Sequence, residues 1–151
     1  MQKIKLNTLF LVVLMGLAAC SDSDTSVDNV EVTQGDVPSE YVGTYVGTIT
    51  GEAEADDLPL ERSFTEDITI TVSADNMITF SGDDPDEVFT TEIGSNGGFN
   101  GQLEISDDNC SGTINVSGTV DGNIASGNVG GNGVCEDIDA SLTGTFSATK
   151  Q

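Results

Sequence analysis

The residues of this chain that could do chemistry are almost all carboxylates. Asp83-Asp84-Pro85-Asp86-Glu87 is the densest polar run, Asp107-Asp108-Asn109 is a second, and Glu52, Glu54, Asp56 and Asp57 form a third. Ca²⁺ takes about six to eight oxygen ligands, so acidic loops that converge would make a calcium site. Asp83, Asp84, Asp86 and Glu87 are the first candidates for its ligands. No EF-hand loop and no RTX-type repeat organises them, and the same runs also read as solvated turns, the commoner role of such clusters. No other cofactor is expected.

The missing residue types exclude more than the present ones assign. There is no histidine, so a Ser-His-Asp triad and a histidine-based zinc site are both ruled out. Glycoside hydrolysis needs only two carboxylates, but pairs drawn from 26 acidic residues single out nothing. Arg62 and Lys150 are the only basic residues after position 20, too few to clamp an anion, and Arg62 beside Glu61 reads as a surface residue paired locally. No enzyme and no catalytic residue is expected, and a carboxylate-based hydrolase is the weakest reading.

The cysteines carry more information. Lys3 and Lys5 precede the apolar run Leu9–Leu17, the cationic and hydrophobic regions of a secretory signal. The run is about half of the ~20 residues a spanning helix needs. Its end, Leu17-Ala18-Ala19-Cys20, resembles the bacterial lipobox: Leu, two small residues, then Cys. That resemblance implies a diacylglycerol on the Cys20 thiol, cleavage before it and acylation of the new amine. Each buried CH₂ contributes ~0.8 kcal/mol, so several acyl chains hold a domain at a membrane. In such lipoproteins an Asp after the cysteine marks inner-membrane retention. Ser21 stands there, which implies the outer membrane. The run Ser21-Asp22-Ser23-Asp24 also resembles export signals that place lipoproteins on the cell surface. The cell surface and the periplasmic face both remain open.

With Cys20 lipidated, Cys110 and Cys135 remain. An even pair in an exported chain reads as one disulfide, worth roughly 3 kcal/mol in the chain-entropy account. Zinc would need four ligands.

Charge narrows the partners. All acidic residues follow Cys20, so the chain from there carries two basic and 26 acidic side chains, about −24. Nucleic acid is excluded as a partner, because nothing here neutralises phosphates. Adsorption of the domain itself to anionic headgroups is disfavoured, and the membrane contact is left to the lipid. The charge suits mutual repulsion and solubility; it specifies no fold and no oligomeric state.

The elements follow from periodicity. Residues 1–19 are the signal peptide. Residues 20–40 are the lipidated cysteine and an acidic, flexible tether with isolated valines and no aromatic residue, unable to offset its ordering entropy. Residues 41–151 form a single antiparallel β domain. Ile68, Ile70 and Val72 alternate with Asp67, Thr69 and Thr71, and Phe99, Gly101, Leu103 and Ile105 alternate with Asn100, Gln102 and Glu104. Period two is the half-buried strand signature. Turn residues punctuate these runs at Ala74-Asp75-Asn76, Ser81–Pro85, Gly94–Gly98, Asp107–Asn109, Asp121-Gly122 and Gly130–Gly133. The pattern predicts strands over 42–50, 63–72, 77–81, 87–93, 99–105, 111–119, 123–129 and 138–148. Short connections make neighbours pair, and an even count brings the first strand beside the last. The expected fold is all-β, a small meander barrel of about eight strands, with a two-sheet sandwich as the alternative.

Tyr41-Val42-Gly43-Thr44-Tyr45 and Leu142-Thr143-Gly144-Thr145-Phe146 are faintly similar to the lipocalin pattern, which has Gly-x-Trp on its first strand and an Arg on its last. Here Tyr45 takes the place of the Trp, and the Arg is missing. A non-catalytic binding module for a small apolar or glycan ligand is the leading expectation; a structural or adhesive envelope protein without a ligand is the second. Phe80, Phe89, Phe99, Leu103 and Phe146 pointing inward would fill the barrel. Gly101, Gly118 and Gly144 pointing inward would leave room.

Overall fold

The computed structural model describes residues 28–55, 62–82, 88–106, 110–135 and 138–151. Its strands are Gly43–Ala55 (β1), Arg62–Val72 (β2), Met77–Ser81 (β3), Val88–Glu92 (β4), Gly98–Ser106 (β5), Cys110–Asp121 (β6), Ile124–Cys135 (β7) and Ile138–Lys150 (β8). They form one antiparallel sheet in the order β4-β3-β2-β1-β8-β7-β6-β5. The fold is a nearly closed barrel, not a sandwich. First and last strands zip together from Tyr45↔Lys150 to Ala55↔Ala140. The seam lies instead between β4 and β5. The contacts there include the bridge Ile93↔Phe99 and a 2.8 Å hydrogen bond from Thr91 Oγ1 to the Asn100 carbonyl.

Most strands match the alternation that predicts them, but β7 runs on through Gly130-Gly131-Asn132-Gly133, a sequence that reads as a turn. These residues pair with Thr143, Leu142, Ser141 and Ala140 of β8 and with Asn115, Ile114, Thr113 and Gly112 of β6. The glycines are there for close packing: a Cβ on Gly131 would come within 3.2 Å of the Ile114 side chain. The turn between β6 and β7 is the two residues Gly122-Asn123. Gly122 has φ +57°, where an L side chain is strained.

The core fills itself by pairing phenylalanine with glycine. Phe99 lies opposite Gly118, Phe146 opposite Gly127 and Phe64 opposite Gly51. A Cβ on Gly118, Gly127 or Gly51 would meet the facing ring at 2.8, 2.7 or 2.6 Å. Across the seam, the Phe89 ring occupies the space over Gly101 in the same way. Phe80 is the hub, with ring centroids 5.6 Å from Phe99, 5.6 Å from Phe146 and 5.9 Å from Phe89, within the range favoured for offset and edge-on aromatic pairs. Phenylalanines and glycines therefore share the interior, and the rings of Phe64, Phe89, Phe99 and Phe146 each use the room a glycine leaves. Leu103, expected among the filling residues, is 36 % exposed.

One end of the barrel is closed by Tyr45, which is fully buried. Its hydroxyl donates to the Tyr41 carbonyl at 2.7 Å and lies 3.3 Å from the Gly122 carbonyl. The cation expected to be missing is present as Lys150, whose Nζ stands 5.9 Å from the Tyr45 ring centroid.

Residues 28–40, expected to belong to the flexible tether, lie on the barrel. Val30 N–H donates to Asn100 Oδ1 at 2.9 Å, and Asn100 Nδ2 donates back to the Val30 carbonyl. Asn96 Nδ2 donates to the Glu31 carbonyl and its Oδ1 accepts from Thr33 N–H. Val37 N–H donates to Asn76 Oδ1 at 2.7 Å, and the Val37 side chain is buried in the core. The acidic composition hides this docking because backbone groups make it, and backbone carries no sequence signal.

Candidate functional site: a polar groove on the outer wall

Strand direction sorts the loops into two ends. The strand ends Ala55, Arg62, Ser81, Val88, Ser106, Cys110, Cys135 and Ile138 are at the end opposite Tyr45, and the sequence segments 56–61, 83–87, 107–109 and 136–137 each contain at least two carboxylate residues. The calcium candidates Asp83, Asp84, Asp86 and Glu87 lie outside the described residues, as do Asp56, Asp57, Asp107 and Asp108. Among the described residues, no group of three or more Cys, Asp or Glu is placed to hold a metal ion. Glu52 and Glu54 are exposed on the outside of β1. Cys20 also lies outside the described residues. Cys110 and Cys135 are direct register partners across β6 and β7.

The described concavity is on the outer wall, a groove of about 670 Å³ over β7, β8, β1 and β2. Two cross-strand rows build it. Asn128, Thr145, Thr50 and Thr65 are successive partners in one; Gly130, Thr143, Glu52 and Ser63 are successive partners in the other. Strands ~4.8 Å apart make each row about 14 Å long. Apart from Gly130, which is buried, the residues of both rows are exposed, and Asp28 forms one rim. Gly51 and Gly144 sit between the rows and face the interior, so no side chain rises there on the outside. Asp28 is fixed by its carbonyl, which accepts from the buried Ser117 hydroxyl at 2.9 Å.

The arrangement offers hydroxyls, one amide and two carboxylates. Hydroxyl and amide groups both donate and accept, so they match ligands that do likewise. The pairs Gly-Thr in the sequence were the available signal: at Gly144-Thr145 the glycine lies inside and the threonine outside, in the groove. What alternation could not show was which outward residues of four strands fall side by side, because that depends on register.

No protein-family model matches the chain, and no curated protein matches it in sequence. The fold defines the class, an eight-stranded antiparallel β-barrel with a phenylalanine cluster in its core and a polar outer groove.

Proposed function

We infer that the chain is an outer-membrane lipoprotein anchored through Cys20, whose barrel is a non-catalytic binding module for an uncharged glycan. The observation that carries the binding reading is how the barrel divides its space. Aromatic rings take up the room beside the inward Gly51, Gly101, Gly118 and Gly127, whereas the groove outside is walled by Thr50, Thr65, Asn128, Thr143 and Thr145. Sugar hydroxyls match those groups, and an apolar ligand in the centre would compete with the Phe80 cluster. A formal charge of −22 disfavours anionic ligands. The anchor is supported by Leu17-Ala18-Ala19-Cys20 and the apolar run before it. A disulfide between Cys110 and Cys135 is supported by their register: directly opposed antiparallel residues have Cα atoms about 4.5–5.5 Å apart, within disulfide range.

The filled interior also favours a second reading, a structural or adhesive envelope protein without a ligand. NMR of the exported Cys20→Ala chain, titrated with neutral oligosaccharides, separates the two. Shifts at Thr50, Thr65, Asn128 and Thr145 support the binding module. An unchanged spectrum leaves the structural reading, and shifts confined to Phe80, Phe99 and Phe146 overturn the outer groove.

A further inference from the structure

We propose that residues 28–37 are a stowed length of tether, a strap whose release lets the barrel stand farther from its anchor. This inference rests on the lipid anchor at Cys20.

The strap is seated on side chains, not on a strand ladder. Asn76, Asn96 and Asn100 hold the backbone of Val37, Thr33, Glu31 and Val30. The Ser95 N–H donates to the Thr33 carbonyl at 2.9 Å. The seat is shaped for a backbone: a Cβ on Gly94 would come within 2.5 Å of the Thr33 carbonyl, and one on Gly98 would collide with the Glu31 carbonyl. Gly94 in the connection and Gly98 at the start of β5 thus lack side chains where the strap crosses.

The hold is also weak compared with the barrel. Val37 is the strap's one buried apolar side chain among the described residues, and Val32 is 36 % exposed. The bonds at Ser95 Oγ and Asn96 reach exposed groups. Segments with few buried apolar contacts and exposed hydrogen bonds open well before a domain unfolds. The β1–β8 ladder, by contrast, runs through eleven register pairs.

Release changes reach. With the strap seated, eight Cα steps separate Cys20 from Asp28, at most about 28 Å of chain. With it free to Val37, seventeen steps give about 60 Å. The strap therefore sets whether the groove, whose rim is Asp28, is held near the membrane or extended away from it.

Hydrogen exchange on the full mature chain tests the device. The amides of Val30 and Val37 should be protected but exchange at least tenfold faster than those of the β1–β8 ladder. Asn100→Ala removes the side chain that holds Val30 and keeps the carbonyl that accepts from Thr91; it should raise strap exchange about tenfold and leave the ladder unchanged, and Asn76→Gly, which keeps the φ of +61° accessible, should do the same at Val37. Strap amides exchanging at free-chain rates, or only together with the ladder, would overturn the proposal. In vesicles, energy transfer from lipid headgroups to a label at Ser106 should fall in Asn100→Ala; an unchanged signal alongside faster strap exchange rejects the reach argument. The exchange readout needs no lipid, so a failed anchor shows separately, as chain that does not bind vesicles at all.

Discussion

Lys150 and Tyr45 face each other across the β1–β8 ladder, with the Lys150 ammonium 5.9 Å from the Tyr45 ring centroid and 2.7 Å from the Glu40 carbonyl. Gly43 makes room for this: its φ is +149°, and a Cβ there would come within 2.7 Å of Lys150 Cε. The Gly-x-Tyr spacing thus has a physical reason, because the lysine stem crosses the glycine to reach the ring. Tyr45→Phe keeps the ring and loses the hydroxyl that binds the Tyr41 carbonyl. It should cost about 1 kcal/mol, read by urea denaturation. Lys150→Met should cost less, about 0.5–1 kcal/mol, since the cation is only partly desolvated.

Tyr45 also gives the barrel an alkaline limit. Burial, followed by the neighbouring Tyr41, raises its pKa above 10.0. The folded state then holds the phenol proton at a pH where the unfolded chain has lost it. This contribution is fully present below pH 10 and is lost as pH rises through the folded-state value. Denaturation midpoints should fall more steeply above pH 10 in the parent chain than in Tyr45→Phe. Equal slopes would place the alkaline sensitivity elsewhere.

The Phe–Gly pairs predict a size-matched response. Gly118→Ala puts a methyl where the Phe99 ring lies and should destabilise by about 1–3 kcal/mol through overpacking. Phe99→Leu alone opens space. The double variant should be more stable than the sum of the two single effects, because each change relieves the other. Strict additivity would mean that ring and glycine do not share the space.

All eight strands were legible because period-two alternation survives wherever one face is apolar. The β1–β8 closure was legible from strand count alone. Gly130–Gly133 was not, since four small residues look the same in a turn as in a strand packed under Ile114. The position of the seam was not legible either: the connection Gly94–Gly98 has hairpin length, yet β4 and β5 meet chiefly at Ile93↔Phe99. Of the outer groove, only the outward threonines could be read. Their neighbours across four strands came from register, which a single strand does not encode.

Cys110 and Cys135 are register partners at the ends of β6 and β7. In the exported protein they should form a disulfide, seen as a mass two units below the reduced chain. Replacing both with Ser should cost about 3 kcal/mol, measured against the oxidised parent. The cost should vanish when the parent is measured under reducing conditions. A parent chain whose two thiols stay free to alkylation after export would remove the bond.

Cys20→Ala separates the anchor from the fold. The described barrel begins its contacts at Asp28, whose carbonyl accepts from Ser117, and its core residues run from Val37 to Ala148. The variant should therefore leave the membrane fraction for the soluble one, with a denaturation midpoint within about 0.5 kcal/mol of the parent, as for a surface change away from packed contacts. Fractionation after a detergent-free wash, paired with urea denaturation of the released chain, reads both quantities. A Cys20→Ala chain that stays with membranes would show that something other than acyl chains holds it there, and the strap could then no longer set the distance of the groove from a lipid anchor.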